Sequence, residues 1–481
     1  MIYDSESGNL VVTLGGDTML TRRLSIYAEP SFLSLARLFQ EADVGFVNLE
    51  GTVRNWDEGS PGITQGTFMT TPPALLDDLR WFGVNMVSCA NNHAFDYGEG
   101  GVMATIRHLD AAGLAHAGSG PNLAMARAPG YLETPRGRIG LVAATATFRP
   151  WNRAGAQRRD LPGRPGINPL GSKATYRVDG EAFAQLRRIG RELGFERETE
   201  RARGHFYSAK EIPPEEADEI RLFGARLVAA NGFAVETRPD PGDLEENLRT
   251  VREARRQADW VIFSLHNHQA GGESLTRART RTEIEEPAEF VADVARAAIE
   301  AGADIVVCHG SHIPLGIEIH RGRPIFYSTG NLIFENETVR FFPDEAYDRF
   351  DLGPDAMPGE FLDARTDGGR KGHPAHAGFW ENAVMQCVFA KGALKEIRVH
   401  AIDQGFGRPR AQRGRPVLAE GEVARRVLAR LARVSARYGT RMTMARNLGV
   451  VRPDTSKGTG GKRPRGGRPP GAAKRKEGKS A

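Results

Sequence analysis

The sequence predicts an α/β fold in which sheets are flanked by helices, because helical and strand patterns alternate along most of the chain. A unit of helix, glycine and strand recurs in residues 77–92, 99–120 and 287–310, and Gly302 is expected to end the last of these helices. Short apolar runs such as WVIFSL and IVVC are typical of buried strands. With 481 residues, of which 40% are hydrophobic, the chain can bury a large core.

The remaining regular elements follow in chain order. Residues 136–147, RGRIGLVAATAT, predict a further strand, and residues 380–403 predict a closing β-hairpin. Residues 411–445 carry apolar side chains at helical spacing, which predicts a packed C-terminal helix without a cofactor site.

Two segments interrupt the alternation of helices and strands. The composition of residues 149–245 predicts an inserted lobe or lid. We expect irregular structure over residues 149–175, followed by a charged and mostly helical stretch to about residue 240. Five arginines of the irregular stretch form either a carboxylate or phosphate clamp or a solvated basic loop: Arg149, Arg153, Arg158, Arg159 and Arg164.

A second insert is predicted over residues 335–378, which are acidic and rich in Gly and Pro. It contains His373 and His376. Because no strand pattern precedes these histidines, we expect both to lie at the surface.

Five apolar runs end in residues that can bind metals. These residues are Asp17, Glu50, Asn92 with His93, His266 with His268, and His309 with His312. The carboxyl ends of strands in open α/β sheets are where such folds place their ligands. The sequence therefore predicts one metal site at these strand ends.

The chemical types of these side chains narrow the choice of ion. Carboxylate, amide and imidazole groups without thiolate suit Mn, Fe, Zn or Co and argue against an iron–sulfur cluster. Six or seven ligands are too many for one tetrahedral zinc, whereas two ions about 3.5–4 Å apart, bridged by a carboxylate and a water, would use them all. Such a pair turns its bridging water into a nucleophile at neutral pH.

The order of the motifs resembles that of a known family. The blocks GD, NLE, NNHxxDxG, HxH and HxxH, the last closing in GRPIFYSTGN, resemble the bacterial capsule-synthesis CapA proteins, a poly-γ-glutamate biosynthesis family related to calcineurin-like metallophosphoesterases. The resemblance covers about residues 10–410 and implies a CapA-like domain over 8–410. It also implies a four-layer α/β sandwich with the metal site at the sheet edge.

The resemblance implies a role for each motif residue. Asp17 is similar to the first metal carboxylate, Glu50 to the bridging carboxylate and Asn92 to the amide ligand of a second metal. His93 resembles the catalytic histidine that protonates the leaving group, and Asp96 of the same motif is a second catalytic candidate. The remaining imidazole ligands would be His266, His309 and His312.

Four further residues are candidates to support the ligands or to contact substrate: His268, Glu318, Asn331 and Arg164. For His268, direct ligation of a metal stays equally open. The chain also departs from the metallophosphoesterase pattern, because Met19 stands where those enzymes usually place a histidine ligand, as is general in CapA proteins. The site would then hold one or two ions. Cys308, beside His309, is expected to be a small buried hydrophobe rather than a ligand.

The composition also predicts the compartment. Cys89, Cys308 and Cys387 are too few and too scattered for a disulfide framework, which favours reduced thiols and a cytoplasmic protein. The N-terminal sequence has no basic segment followed by an apolar stretch, and no window approaches 18 uncharged apolar residues. We therefore expect neither a signal peptide nor a transmembrane segment.

The positive charge of the chain is concentrated at its C-terminus. Residues 452–481 contain ten Lys or Arg against Asp454 and Glu477, a net charge of +8 that leaves −3 for the first 451 residues. This tail is rich in Gly and Pro, lacks apolar periodicity and is predicted to be disordered. It either contacts a polyanion weakly or is a solvated extension without a partner.

Three functions from different classes stay open. The first is a metal-dependent hydrolase with an anionic substrate, either a phosphoester or a γ-glutamyl amide. The second is a non-catalytic, polymer-binding accessory of poly-γ-glutamate synthesis or export, and the third is a metal-stabilised scaffold with a polyanion-binding tail. The number of candidate ligands and the adjacent His93 favour the hydrolase, because a structural ion needs fewer ligands. The oligomeric state does not follow from the sequence.

Overall fold

The structure is a computed structural model that describes residues 4–62, 66–205, 218–271 and 277–453. Its strands are β1 Leu10–Met19, β2 Val44–Leu49, β3 Thr52–Val53, β4 Thr70–Thr71, β5 Met86–Ser88, β6 Ala115–Ala117, β7 Ser119–Gly120, β8 Gly130–Thr134, β9 Gly137–Thr145, β10 Gly166–Ile167, β11 Ser172–Val178, β12 Glu219–Leu222, β13 Ala225–Ala229, β14 Ala234–Pro239, β15 Trp260–His266, β16 Ile305–His309, β17 Ile317–His320, β18 Arg323–Phe326, β19 Asn331–Phe334, β20 Glu381–Ala390, β21 Ala393–Asp403, β22 Val417–Leu418, β23 Met442–Ala445 and β24 Leu448–Val451. Its α-helices are α1 Pro30–Gln40, α2 Leu76–Phe82, α3 Gly98–Ala112, α4 Leu123–Arg127, α5 Gly180–Glu192, α6 Phe195–His205, α7 Pro241–Gln257, α8 Glu289–Ala301, α9 Asp344–Asp348, α10 Pro358–Thr366 and α11 Gly421–Ala436.

A ten-stranded mixed sheet is built around β1. Its main order is β23-β24-β21-β20-β1-β2-β5-β6, and β22 pairs with β21. The first half of β1 pairs antiparallel with β20, and its second half pairs parallel with β19 on the same side. The second half of β1 therefore lies between β2 and β19 at the end of the sheet where Asp17 lies.

A second sheet has six strands in the order β17-β18-β16-β15-β9-β8. Strands β9, β15 and β16 are parallel, and every residue of β15 and β16 is buried. Successive residues point to opposite faces, so that Ile262 and Val307 lie in one apolar core while Phe263 and Val306 lie in another. Burial of both faces explains the unbroken apolar runs in the sequence.

Three apolar cores organise this mixed α/β fold. The first combines residues of both sheets, for example Leu14 and Phe46 of the larger sheet with Leu141 of the smaller. The second packs α7 and α8 on the smaller sheet, and the third packs α1 and α2 on the larger. The predicted helix–glycine–strand units, including Gly302 at the end of α8, are confirmed.

The lobe predicted from residue 149 contains more strand than expected. Strands β11 to β14 form a separate four-stranded sheet, on which Phe183 of α5 packs. The prediction of a mostly helical segment was wrong, because nearly all side chains of β11 and β14 are exposed or only partly buried and both strands carry charged residues. Strands with little apolar alternation give a weak sequence signal.

The C-terminal elements extend the larger sheet. The hairpin predicted at residues 380–403 is confirmed as β20 and β21. Within residues 411–445 the helix α11 covers Gly421–Ala436, and the hairpin of β23 and β24 then pairs with β21. The sheet thus continues beyond residue 410. Residues 454–481, which include nearly all of the predicted disordered tail, lie outside the described residues.

In the part of the chain that the structure describes, none of the helices has the length and apolar character needed to span a membrane.

Candidate metal centre

The ends of strands from both sheets meet at one place. In the larger sheet, Asp17 of β1 is opposite Asn48 of β2 on one side and Asn331 of β19 on the other. In the smaller sheet, His266 at the end of β15 is opposite His309 at the end of β16. The backbone N–H of Gly310 donates to Asp17 Oδ2 at 3.0 Å and links the two sheets.

Asp17, His266 and His309 form the first potential ligand group, and all three are fully buried. Asp17 Oδ1 lies 3.8 Å from His266 Nδ1 and 3.7 Å from His309 Nδ1. Burial would raise the pKa of Asp17, but a hydrogen bond from His312 and the charges of His312 and His309 lower it to about 2. The carboxylate is therefore ionised at neutral pH.

Glu50, His268 and His312 form the second potential ligand group. Glu50 Oε1 lies 3.9 Å from His312 Nε2 and 4.0 Å from Nε2 of both His266 and His93. Burial raises the pKa of Glu50 well above its usual value, and the neighbouring Asp17 carboxylate raises it further.

The polar atoms left without partners fit a metal cation. Among the described residues, neither carboxylate oxygen of Glu50 nor the buried Asn92 Oδ1 has a hydrogen-bond partner. A buried carboxylate without a partner is costly, and a divalent cation would neutralise it. Burial also lowers the pKa of His266 and His268 well below 6.5 and lowers that of His309 to about 4, so these imidazoles are neutral, as metal ligation requires.

His93 and Asp96 form a pair beside these groups. His93 Nδ1 lies 2.7 Å from Asp96 Oδ2, and the same oxygen accepts a hydrogen bond from the backbone N–H of Met69. His93 Nε2 is left to face Glu50. This orientation suits proton transfer to a group bound near Glu50.

The loop after β16 is held in an uncommon backbone conformation. Gly310 has a φ of +102°, and a Cβ at this position would lie 2.6 Å from the carbonyl oxygen of Asn267. His312 also has a positive φ, 61°, which is uncommon for a residue with a side chain. The conformation directs both the Gly310 N–H and the His312 ring towards Asp17.

Comparison with known proteins identifies the family. The model of the family described as "Bacterial capsule synthesis protein PGA_cap" matches residues 11–336. The chain belongs to the PGA_cap family. The resemblance found in the sequence motifs is therefore confirmed, and membership associates the chain with capsule and poly-glutamate biosynthesis.

Several relatives are similar over different parts of the chain. The uncharacterized protein y4sH of Sinorhizobium fredii is 32% identical over 455 residues, which cover 91% of this chain and 92% of the relative. The PGA biosynthesis protein CapA of Bacillus subtilis is 32% identical over 124 residues, covering 25% of this chain and 30% of CapA. A protein of Mycobacterium tuberculosis named "Probable polyglutamine synthesis accessory protein" is 24% identical over 62% of this chain and 57% of its own length. The crystal structure of a hypothetical protein from Thermus thermophilus covers 85% of this chain and 96% of its own, with 14% identity and a TM-score of 0.32.

The structure of this PGA_cap chain brings most of the predicted residues together. Asn331 Oδ1 lies 3.0 Å from His312 Nδ1, and His268 Nε2 lies 3.2 Å from His266 Nε2. Glu318 instead binds Arg296 and Tyr327 through hydrogen bonds. Its carboxylate is already satisfied by these partners, so we place Glu318 outside the candidate site.

The five-arginine clamp does not converge on the site. Only Arg149 of the five lines the cavity described below. Arg153 pairs with Asp243, Arg158 pairs with Asp160, and the exposed Arg164 donates to the backbone of Arg153. These partners explain why the clamp prediction was wrong as a whole.

Sequence reasoning missed several residues around the PGA_cap site. Asn48 donates to Asp17 Oδ1 at 2.8 Å, Asn91 donates to Asn48 Oδ1, and Ser264 Oγ lies 2.7 Å from His309 Nε2. Asn48 and Asn91 belong to the quoted NLE and NNH blocks, so they could have been found there. His373, predicted to lie at the surface, is half-buried in a short helical turn with its ring against Phe379 and His312.

A cavity of about 550 Å³ lies over the site. His93, Asn92, His268 and His312 line its floor together with His373. Three arginines from separate segments line the same cavity: Arg149, Arg281 and Arg365. The cavity therefore combines candidate metal ligands with cationic side chains.

Proposed function

We propose that this PGA_cap protein is a metal-dependent hydrolase that cleaves a phosphoester or a γ-glutamyl amide of capsule or poly-γ-glutamate metabolism. The observation that carries the proposal is Glu50, whose two buried oxygens have no hydrogen-bond partner among the described residues. Its Oε1 lies within 4.0 Å of three imidazoles. As part of the proposal we assign the two sheets and their covering helices to a four-layer sandwich. The three apolar cores support this assignment.

The two ligand groups would hold the divalent ions. Asp17, His266 and His309 would bind one ion, and Glu50, His312 and Asn92 would bind the other, with His268 as a further candidate. Mn, Fe or Zn suits this set of oxygen and nitrogen donors. Such an ion, when bound, lowers the pKa of water and polarises the phosphoryl or carbonyl group under attack.

His93 would supply the proton that the leaving group needs. Asp96 accepts a hydrogen bond from His93 Nδ1, which fixes the orientation of the ring. The proton on Nε2 is then directed into the cavity, and it would pass to the leaving oxygen or nitrogen as the bond breaks. Asn91 Oδ1 accepts a hydrogen bond from the backbone N–H of His93 and keeps the residue in place.

A non-catalytic accessory role is the second candidate. The name of the Mycobacterium tuberculosis relative, which calls that protein a synthesis accessory protein, favours it. In this role the same cavity would bind an anionic polymer without cleaving it. The tail of residues 454–481 would add electrostatic binding in either role, and this contribution stays a prediction.

A substrate panel separates the two candidates. The full chain, loaded with Mn, Fe or Zn, is assayed on p-nitrophenyl phosphate, bis(p-nitrophenyl) phosphate and γ-glutamyl p-nitroanilide. We expect turnover of at least one substrate and its loss in His93→Ala. Binding of poly-γ-glutamate with no turnover of any substrate, by protein of confirmed metal content, would favour the accessory role.

A further inference from the structure

We infer that Arg281 and Arg365 form an oxyanion-binding subsite beside the candidate metal centre. The inference deepens the proposed function, on which it rests, by naming a second recognition element of the substrate. The subsite would hold a carboxylate or phosphate oxyanion carried next to the bond that is cleaved.

Arg281 lies in the cavity wall, and no described residue pairs with its positive charge. Its exposed side chain lines the cavity, and its charge acts on Glu50. Among the described residues, none forms a hydrogen bond or ion pair with its guanidinium group. All five of its N–H donors are therefore available to a ligand.

The backbone that carries Arg281 is firmly anchored. Arg430 of α11 donates hydrogen bonds to the backbone carbonyl oxygens of Thr282, Ile284 and Pro314. Arg433 of the same helix and Arg437, the residue that follows the helix, form ion pairs with Glu285. An arginine on an anchored segment loses less conformational entropy when it binds a ligand, which increases its affinity.

Arg365 supplies a second cationic side chain to the cavity. It belongs to α10 in the second insert, and Arg365 Nη1 donates to the neutral hydroxyl of Thr67. In the described parts of the chain no carboxylate forms an ion pair with it. Arg281 and Arg365 thus both line the cavity, and no acidic residue of these parts forms an ion pair with either.

The chemistry of these groups selects oxyanions. A guanidinium group binds carboxylate or phosphate through two parallel hydrogen bonds, and such charge-assisted bonds are among the strongest in proteins. The only acidic residue among the described residues that line the cavity is Asp96, which is occupied by His93 and Met69. Both the side chain of a γ-linked glutamate and a phosphate group fit this requirement.

The test is calorimetric titration of the full metal-loaded chain with γ-linked triglutamate and, separately, with inorganic phosphate. We expect Arg281→Ala to weaken binding of at least one probe by about 10- to 100-fold, with Arg281→Lys intermediate, because a charge-assisted pair is lost. The control is Arg164→Ala, which removes an exposed arginine outside the cavity and should bind as the wild type does. If Arg281→Ala weakens binding of triglutamate alone, the subsite binds a carboxylate. If it weakens binding of phosphate alone, the subsite binds a phosphate.

Wild-type affinity of Arg281→Ala for both probes would overturn the inference, as would failure of the wild type to bind either probe. Metal content, measured on every variant, must stay unchanged. Because the readout is binding, the subsite stands if Arg281→Ala loses affinity while no variant turns over substrate. That combination of results would contradict the hydrolase proposal alone.

Discussion

His93 Nδ1 and Asp96 Oδ2 lie 2.7 Å apart, three residues along the chain from each other, and Asp96 is buried. Burial raises the pKa of Asp96, although the neighbouring His93 opposes this shift. The contact between the two side chains fixes the orientation of the His93 ring. This pair defines the acid in the proposed reaction.

The first prediction concerns this pair. His93→Ala should lower kcat by about 10²–10⁴-fold, the usual contribution of a general acid, without changing metal content. Steady-state kinetics and elemental analysis of the same preparations measure the two effects. Asp96→Asn should also lower kcat while leaving KM nearly unchanged, because it acts through His93. Loss of metal from His93→Ala would show that His93 is a ligand instead.

The second prediction concerns stabilisation by metal. A ligand that binds only the folded state, present at 100 times its Kd, stabilises that state by about 2.7 kcal/mol. We therefore expect Mn, Fe or Zn to raise the Tm of the metal-free chain by several degrees, and Glu50→Gln to lose most of this increase. The control is Glu396→Gln, which removes a carboxylate that pairs with Arg398 and Arg452 away from the cavity. This variant should show the same increase in Tm as the wild type. An equal increase in both variants would contradict the assignment of Glu50.

The third prediction concerns pH. The pKa of His309 is lowered to about 4 in the folded state, so the folded state binds fewer protons than the unfolded state between pH 4 and 6.5. The metal-free chain should therefore lose stability as pH falls from 6.5 to about 4. His309 alone contributes about 3 kcal/mol of this loss, at 1.36 kcal/mol per pKa unit. Glu50, with its raised pKa, acts in the opposite direction because it favours the folded state at low pH.

Denaturant unfolding at a series of pH values measures this dependence. In this range the slope of the unfolding free energy against pH is set by the difference in bound protons between the unfolded and folded states. His309→Gln should reduce that difference by about one proton. An unchanged slope in His309→Gln would show that His309 is not buried in its neutral form.

The fourth prediction concerns Arg430. Arg430→Met leaves three backbone carbonyl oxygens without a donor and should destabilise the chain by about 1–3 kcal/mol. Arg426→Ala, on the same helix and in a half-exposed ion pair with Glu381, should change stability by no more than about 1 kcal/mol. Thermal unfolding compares the two variants. Equal stability of both would contradict the anchoring role of α11.

The sequence was sufficient to find the residues at the strand ends. Asp17, Glu50, His266 and His309 each follow an apolar run, and the carboxyl ends of parallel strands meet at one edge of a sheet. The periodicity that predicts the strands therefore also predicts which residues lie at the edge of each sheet, whereas the meeting of the two edges is a tertiary contact. The family motifs added His93 and Asp96.

The residues that close the cavity could not be predicted in the same way. Arg281 and His373 lie in short helical turns outside the strands, and Arg365 lies on α10. Their positions depend on tertiary contacts, such as those of Arg430 with the segment after Arg281, which no local pattern encodes. The same dependence explains why Glu318, within a recognised motif, pairs with Arg296 instead.

Metal stoichiometry tests the central claim most directly. The purified full chain, made metal-free, incubated with Mn, Fe or Zn and freed of excess ions, is analysed by elemental mass spectrometry. We predict one or two ions per wild-type chain and a clear loss in Asp17→Ala and His309→Ala, because Asp17 and His309 belong to the same buried ligand group. A folded wild-type chain that stays metal-free with all three ions would contradict the account.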